Sequence, residues 1–246
     1  MILILIKMKK LITFSLWGDR EMFWYGAKRN AEISKRLLPE FTCRFYVDKE
    51  CSSERISSLE SMDNVEIIIV ESKSNTDKEF EKRTGFEGMF WRFWAVDDED
   101  VEIVLSRDCD SRISEREVLA INEWINSGRD FHIMRDHPHH LTPIMGGMWG
   151  CKTSIFKDIG FNMKNISQIY HSKKVNSIVG KDQDFLAEVV YPLVRKKCLE
   201  HSEFGINYGE KIYRFPSERI DYEFVGDSFD ENDVRNPDYW RVISNK

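Results

Sequence analysis

Cysteine is scarce in this chain and shows no pairing pattern. The five cysteines, Cys43, Cys51, Cys109, Cys151 and Cys198, are odd in number and form no C-x-x-C pair. That argues against a disulfide framework or a structural zinc site and for a reducing, cytoplasmic compartment. No apolar run approaches the ~18 residues that a membrane-spanning helix requires. The apolar stretch 1–6 is short, and Lys7-Met-Lys-Lys10 follows it, reversing the order of a secretory leader. Residues 1–7 are therefore expected to be an extension. Basic excess is missing too: 36 Lys and Arg stand against 42 Asp and Glu, a net charge of -6. Without a global positive field, nucleic acid is not expected as a partner. No solenoid-like repeat is present.

What remains is the composition of a soluble globular protein, 41% hydrophobic and 32% charged over 246 residues, long enough to bury a sizeable core. Apolar runs read as strands over 11–16, 41–48, 65–70, 101–105 and 131–134. Helical periodicity lies between them, over 25–38 and 52–62, in the aromatic stretch 88–96, and from a capping box Ser114-Glu-Arg-Glu117 to Gly128. A further helix starts at Gly180 and is expected to kink or end at Pro192. Weak strands are expected over 204–208 and 212–215, and a tail packed by Tyr239 and Trp240 over 237–246. Strand-helix-strand alternation with short connections predicts an α/β fold, a mostly parallel central sheet with helices on both faces. The polar segment 71–82 reads as a surface loop over the site.

The chain is organised around Val101-Glu-Ile-Val-Leu-Ser-Arg-Asp-Cys-Asp-Ser-Arg112. Ligands of open α/β sheets sit beyond the carboxyl ends of the strands, where Asp108 and Asp110 fall. Two residues apart in extended chain, both carboxylates reach one side and suit a hard divalent cation, Mn2+ or Mg2+. Arg107 and Arg112 flank them as candidate diphosphate partners. An acidic pair after a strand is also an ordinary turn, so context must decide. An EF-hand loop fails at Arg112, Ile113 and Leu119, and a resemblance to haloacid-dehalogenase-type phosphatases is poor, since it would want Thr or Val where Arg112 stands.

Other stretches supply that context. Arg92, within an aromatic run, needs an anionic partner, either a carboxylate of the aspartate pair or a ligand phosphate. Paired Gly146 and Gly147, in a strand-like stretch, imply close approach of a ligand or another backbone. Asp182 and Asp184 suit either a helix cap or catalysis. His137, His139 and His140 are candidate metal ligands or simply polar surface.

Taken together, Arg107-Asp-Cys-Asp-Ser-Arg112, Arg92 before it, Gly146-Gly147 and then Asp182-Gln183-Asp184 resemble the GT-A-fold glycosyltransferases. The resemblance is to the family eight enzymes (galactosyltransferase and glycogenin-like) and to bacterial and viral polysaccharide-type transferases. It implies one GT-A-like catalytic domain over 1–246. Residues 8–112 would be a Rossmann-like nucleotide-sugar-binding half, and 113–246 an acceptor half with a C-terminal tail. It implies that Asp108 and Asp110 chelate Mn2+ or Mg2+ on a nucleotide-sugar diphosphate, and that Ser15, Leu16, Trp17 and Gly18 hold base and ribose. Arg92 would contact the donor or the first aspartate, with Arg112, Lys181, Gly146 and Gly147 beside the donor. Asp182, Gln183 and Asp184 would lie by the donor sugar. Where such enzymes carry a His-Phe-x-Gly-type third ligand, this chain has Glu223-Phe-Val-Gly-Asp227, leaving Asp227 or His201 as substitutes.

The implied reaction moves a sugar to a hydroxyl of a glycan-type acceptor, with Asp184 or Asp136 as general base if configuration inverts. If it is retained, Asp182-Gln183-Asp184 would stabilise the oxocarbenium-like state. The same aspartates would also suit a metal-dependent nucleotidyltransferase or phosphohydrolase. A non-enzymatic carbohydrate binder would instead stack sugars on Trp17, Trp149 and Trp240.

Overall fold

The computed structural model describes residues 7–72, 86–173 and 180–244. Residues 1–6 of the expected extension and most of the expected loop 71–82 lie outside them. Among the described residues, eight strands form one sheet in the order β3-β2-β1-β4-β6-β5-β7-β8. Five strands had been expected in the first 134 residues, and all five are present: β1 (Lys9–Leu16), β2 (Thr42–Asp48), β3 (Val65–Val70), β4 (Val101–Ser106) and β5 (Phe131–Arg135). The remaining strands are β6 (Trp149–Lys152), β7 (Cys198–Ser202) and β8 (Ile212–Tyr213). Every pairing is parallel except those of β6, which runs antiparallel between β4 and β5.

Alternation along the strands divides the core between two faces. On β1, Ile12, Phe14 and Leu16 point to one face and Leu11 to the other; on β4, Ile103 and Leu105 are opposed by Val104. The first face is covered by α1 (Glu21–Leu37), α2 (Ser53–Glu60) and α3 (Glu115–Asn126) through Trp24, Ala27, Ala31, Leu59, Ile121 and Trp124. The second is covered by a 3₁₀ helix (Glu87–Asp97), α4 (Ser154–Lys157), α5 (Met163–Lys173) and the helical run beginning with α6 (Lys181–Phe185). The aromatic stretch is the inner lining of this face, with Phe90, Trp91, Phe93 and Trp94 all buried. No helix among the described residues is long and apolar enough to cross a membrane.

Four local expectations need correction. Of the two expectations for Pro192, kink or end, the second does not hold: a π-helical stretch (Leu186–Val190) precedes α7 (Tyr191–Val194), and Pro192 falls in the first turn of α7. A proline there lacks only a donor that a helix start leaves unbonded anyway. Gly146 and Gly147 lie in a turn just before β6 rather than in a strand. The weak strand expected over 204–208 does not form, while 237–244 of the expected tail is α8 (Pro237–Ser244). Finally, β7 was not expected, because Cys-Leu-Glu-His-Ser reads as polar. Its Glu200 and His201 are fully buried through long-range partners, Arg135 and His132.

Candidate active site

β1 continues to β2 on one side and is flanked by β4 on the other, so the strand order reverses between β1 and β4. The register pairs Thr13 with Ser106, which brings the ends of both strands to one crevice, the usual ligand position in such sheets. β4 stops at Ser106, and Asp108 stands at the rim with its side chain 44% exposed. Arg107 between them turns the other way. It is buried, ion-paired to Glu117, and donates to the carbonyls of Ser106 (2.6 Å) and Trp149 (2.9 Å). It therefore does not flank the aspartates as a phosphate partner. It also claims the Glu117 carboxylate, so the capping box is half made: the Ser114 hydroxyl accepts from the Glu117 N–H at 3.2 Å.

The aspartate loop is held from below by α1. A Cβ at Gly26 would stand 1.9 Å from the Cys109 carbonyl oxygen, so only glycine lets the helix backbone come this close. One turn on, buried Asn30 donates to the Ser111 carbonyl (2.8 Å) and accepts from the Ile113 N–H (3.1 Å). Cys109 is buried between the aspartates, its Sγ 3.5 Å from the Ser15 carbonyl. From the other side the Phe229 N–H donates to the Asp110 carbonyl at 2.8 Å. Neither Gly26 nor Asn30 was expected from sequence. The only signal was a small and a polar residue on the inward stripe of an otherwise apolar helix face.

Arg92 joins the loop to α6. Its Nη1 lies 2.8 Å from Asp108 Oδ1 and its Nη2 2.8 Å from Asp182 Oδ2. Its own N–H donates to the Ser15 hydroxyl (3.0 Å). Asp182 is not a cap: the N-cap is Gly180, with no side-chain cap bond, and the buried carboxylate goes to Arg92. The glycine pair exists for these three side chains. A Cβ on Gly146 would meet Arg92 Nη2 and Asp182 Oδ2, each at 2.4 Å, and one on Gly147 would meet Asp108 Oδ2 at 2.0 Å. Burial pushes Asp182 up to about 6 against the pull of Arg92. Asp110 is likewise pushed up to about 6, by burial first and then by the Asp108 carboxylate.

Two clefts share Asp108 and Asp110. A small one of about 50 Å³ lies against Ser15, Leu16, Trp17, Phe23 and Arg92, with Trp17 packed on Phe86 at 5.0 Å. Gly18 closes this side with φ +68, its carbonyl accepting from the Trp24 indole (2.9 Å). The second cleft, about 440 Å³, is lined by His137, His139, His140, Met145, Phe224 and Tyr239 among others.

Several candidates are committed elsewhere. Arg112 pairs with Asp233 (2.9 Å), donates to the carbonyls of Cys109 and Ser111, and lines neither cleft. Lys181 is buried, with its Nζ 3.4 Å from the His171 carbonyl. Asp136 is fully buried: Arg116 holds it in a two-point pair (2.8 and 3.0 Å), Arg219 pairs with Oδ1, and the Val225 N–H donates to Oδ2 (2.9 Å). A carboxylate so saturated has no lone pair left for a substrate proton. Gln183 accepts from the Thr142 hydroxyl (3.1 Å), and Asp184 is half-exposed in the first turn of α6. Trp149 is fully buried and offers no face to a sugar.

His201 uses both ring nitrogens, on His132 (2.8 Å) and Glu123 (3.3 Å), and Asp227 pairs with Arg235 (2.5 Å). Among the described residues no group of three or more His, Cys, Asp or Glu side chains is placed to hold a metal ion.

This sheet order is that of a GT-A-type fold. The chain is similar to galactosyltransferase LgtC in complex with donor and acceptor sugar analogs, at a TM-score of 0.50 and 12% identity over 78% of this chain and 73% of that chain. It also matches a glycosyltransferase involved in glycosylation of the major capsid of PBCV-1 (TM-score 0.42, 15% identity, 78% and 81% covered). TarS residues 1–349 of S. aureus match as well (TM-score 0.47, 13% identity, 79% and 58% covered). At these identities the likeness concerns the fold. No protein-family model and no curated protein matches the chain.

Proposed function

We propose that the chain is a metal-dependent glycosyltransferase that moves a sugar from a nucleoside-diphosphate donor to a hydroxyl of a glycan-type acceptor. The observation that carries this reading is the Asp108–Asp110 pair at the switch point, shared by two clefts and tied through Arg92 to Asp182. Residues 8–112 would supply the donor side and 113–246 the acceptor side.

The donor set suits a hard cation. It is all oxygen, and Asp108 has Oδ1 on Arg92 while the side chain remains half-exposed. Two protein carboxylates are what Mg2+ or Mn2+ takes when substrate phosphates and water complete its shell. When bound, the cation would neutralise the leaving diphosphate as the glycosidic bond breaks. Arg92 holds Asp108 in place and keeps Asp182 charged beside the donor-sugar side. Ser15 to Gly18, with Trp17 as the aromatic face, would hold base and ribose. Arg112 and Lys181 act instead as braces of the loop and of α6. Asp136 is spent on two arginines and is not proposed as a base; Asp182, Gln183 and Asp184 keep their proposed place beside the donor sugar.

The test is release of nucleoside diphosphate from UDP-, GDP- and dTDP-sugars with Mn2+ or Mg2+, using the wild type and the Asp108→Ala, Asp110→Ala double variant. Release that needs both the cation and the aspartates supports the reading. Pyrophosphate formed from nucleoside triphosphate and sugar phosphate, with no turnover of sugar nucleotides, would replace it with nucleotidyl transfer.

A further inference from the structure

Resting on the glycosyltransferase reading, we infer that the larger cleft takes an uncharged saccharide as acceptor and discriminates against acceptors bearing carboxylate or phosphate near the reacting hydroxyl. The cleft has two carboxylates in its wall, and among the described residues no lysine or arginine lines it. The arginines on its wall segments are committed: Arg135 to Glu200, Arg219 to Asp136 and Arg235 to Asp227, while Arg241 lies over Trp240.

The histidines do not make up the missing charge. His137 Nδ1 accepts from the His139 N–H (3.0 Å), and His140 Nδ1 accepts from the Asp136 N–H (3.0 Å). A ring nitrogen that accepts a hydrogen bond carries no proton, so both rings are neutral in this arrangement, with their protons on Nε2. His137 uses its Nε2–H on the Tyr239 carbonyl (3.0 Å), which docks α8 as the outer wall.

The lining chemistry suits a sugar. Phe224 sits against His137 and His140, with ring centroids 4.5 and 5.9 Å apart. Tyr239, 41% exposed, faces the same space edge-on to His137. The exposed Tyr239 ring beside neutral hydrogen-bonding groups matches the CH face and hydroxyls of a pyranose. An anionic acceptor would find no lysine or arginine along this lining, and with the cation's charge taken up by the donor diphosphate and Arg92 shared between Asp108 and Asp182, the acidic wall would oppose it.

Saturation-transfer NMR with Mg2+ and UDP or GDP tests this directly, using methyl glucoside, methyl galactoside and methyl glucuronide as probes. The neutral glycosides should bind about tenfold more tightly than the glucuronide. His139→Lys, at an exposed position on the rim, should narrow that gap about threefold. Equal or tighter binding of the glucuronide to the wild type, or no saccharide binding at all, would overturn the inference. Hydrolysis of sugar nucleotides without any saccharide is measured alongside. If donor turns over and the glucuronide still binds well, the acceptor inference fails alone; if neutral glycosides bind but no donor turns over, the transferase reading fails and takes the acceptor role with it, leaving a saccharide-binding cleft.

Discussion

Arg92→Met removes the bridge between Asp108 and Asp182 while roughly keeping its volume. The two halves of that bridge are unequal. Asp108 is half-exposed, so its pair with Arg92 contributes about 0–1 kcal/mol. Asp182 is 2% exposed, and stripping a buried carboxylate of its partner costs about 3–5 kcal/mol. At about 2–4 °C per kcal/mol for a chain of this size, the variant should melt roughly 10 °C below wild type at pH 8.

The penalty must depend on pH. Asp182 already has a folded pKa of about 6, above its unfolded value of ~3.8. Its burial therefore costs stability that grows as pH rises from about 4 through 6, and losing Arg92 lifts the folded value further. At pH 5 the variant holds Asp182 neutral, so the gap from wild type should shrink. Adding Asp182→Asn should restore most of the loss at pH 8, a coupling of about 2–3 kcal/mol in a double-mutant cycle read by tryptophan fluorescence or calorimetry. An Arg92→Met protein that melts within 2 °C of wild type at pH 8 (less than the ~1 kcal/mol resolved at this size), or a cycle without coupling, would refute the reasoning.

Asp110→Asn should stabilise the metal-free protein by about 2–3 kcal/mol at pH 7.5, because the folded carboxyl sits at about 6, and by almost nothing at pH 4; urea titrations at both pH values check this, and sugar-nucleotide turnover should be lost in the same variant. Gly147→Ala places a methyl 2.0 Å from Asp108 Oδ2, so it should raise the Mn2+ concentration for half-maximal turnover at least about tenfold, whereas Gly160→Ala in a remote turn should not. With two protein ligands only, Mn2+ alone should move the melting point little, and Mn2+ with a nucleoside diphosphate by several degrees; equal shifts would show a cation site independent of nucleotide. His140, buried and held down to about 3, contributes stability above ~6.5 that drains away as pH falls toward 3, so His140→Gln should flatten the acid limb of a pH-stability curve.

Strand positions and the aspartate pair were legible because their signals are local. A run such as Val-Glu-Ile-Val-Leu is a strand wherever it lies, and Asp-Cys-Asp after it must leave the sheet edge. The need of Arg92 for an anion was also readable, since a guanidinium among aromatics has no other resting place. The choice between a carboxylate and a phosphate was not, because it turned on Asp182, ninety residues away and facing the same point in space.

The sequence alone determined the α/β alternation and the strand, β4, after which Asp108 and Asp110 leave the sheet. Only the tertiary structure decided which charges are free. Arg107 and Asp110 differ by three positions, yet one is locked into Glu117 and the other stands by open clefts. Asp136 looked like a base until Arg116 and Arg219 closed on it, and β7 looked polar until its Glu200 met Arg135. Backbone preference and hydrophobic period act between near neighbours along the chain, whereas the partner of a buried charge is set by contacts that exist only after the strands have assembled.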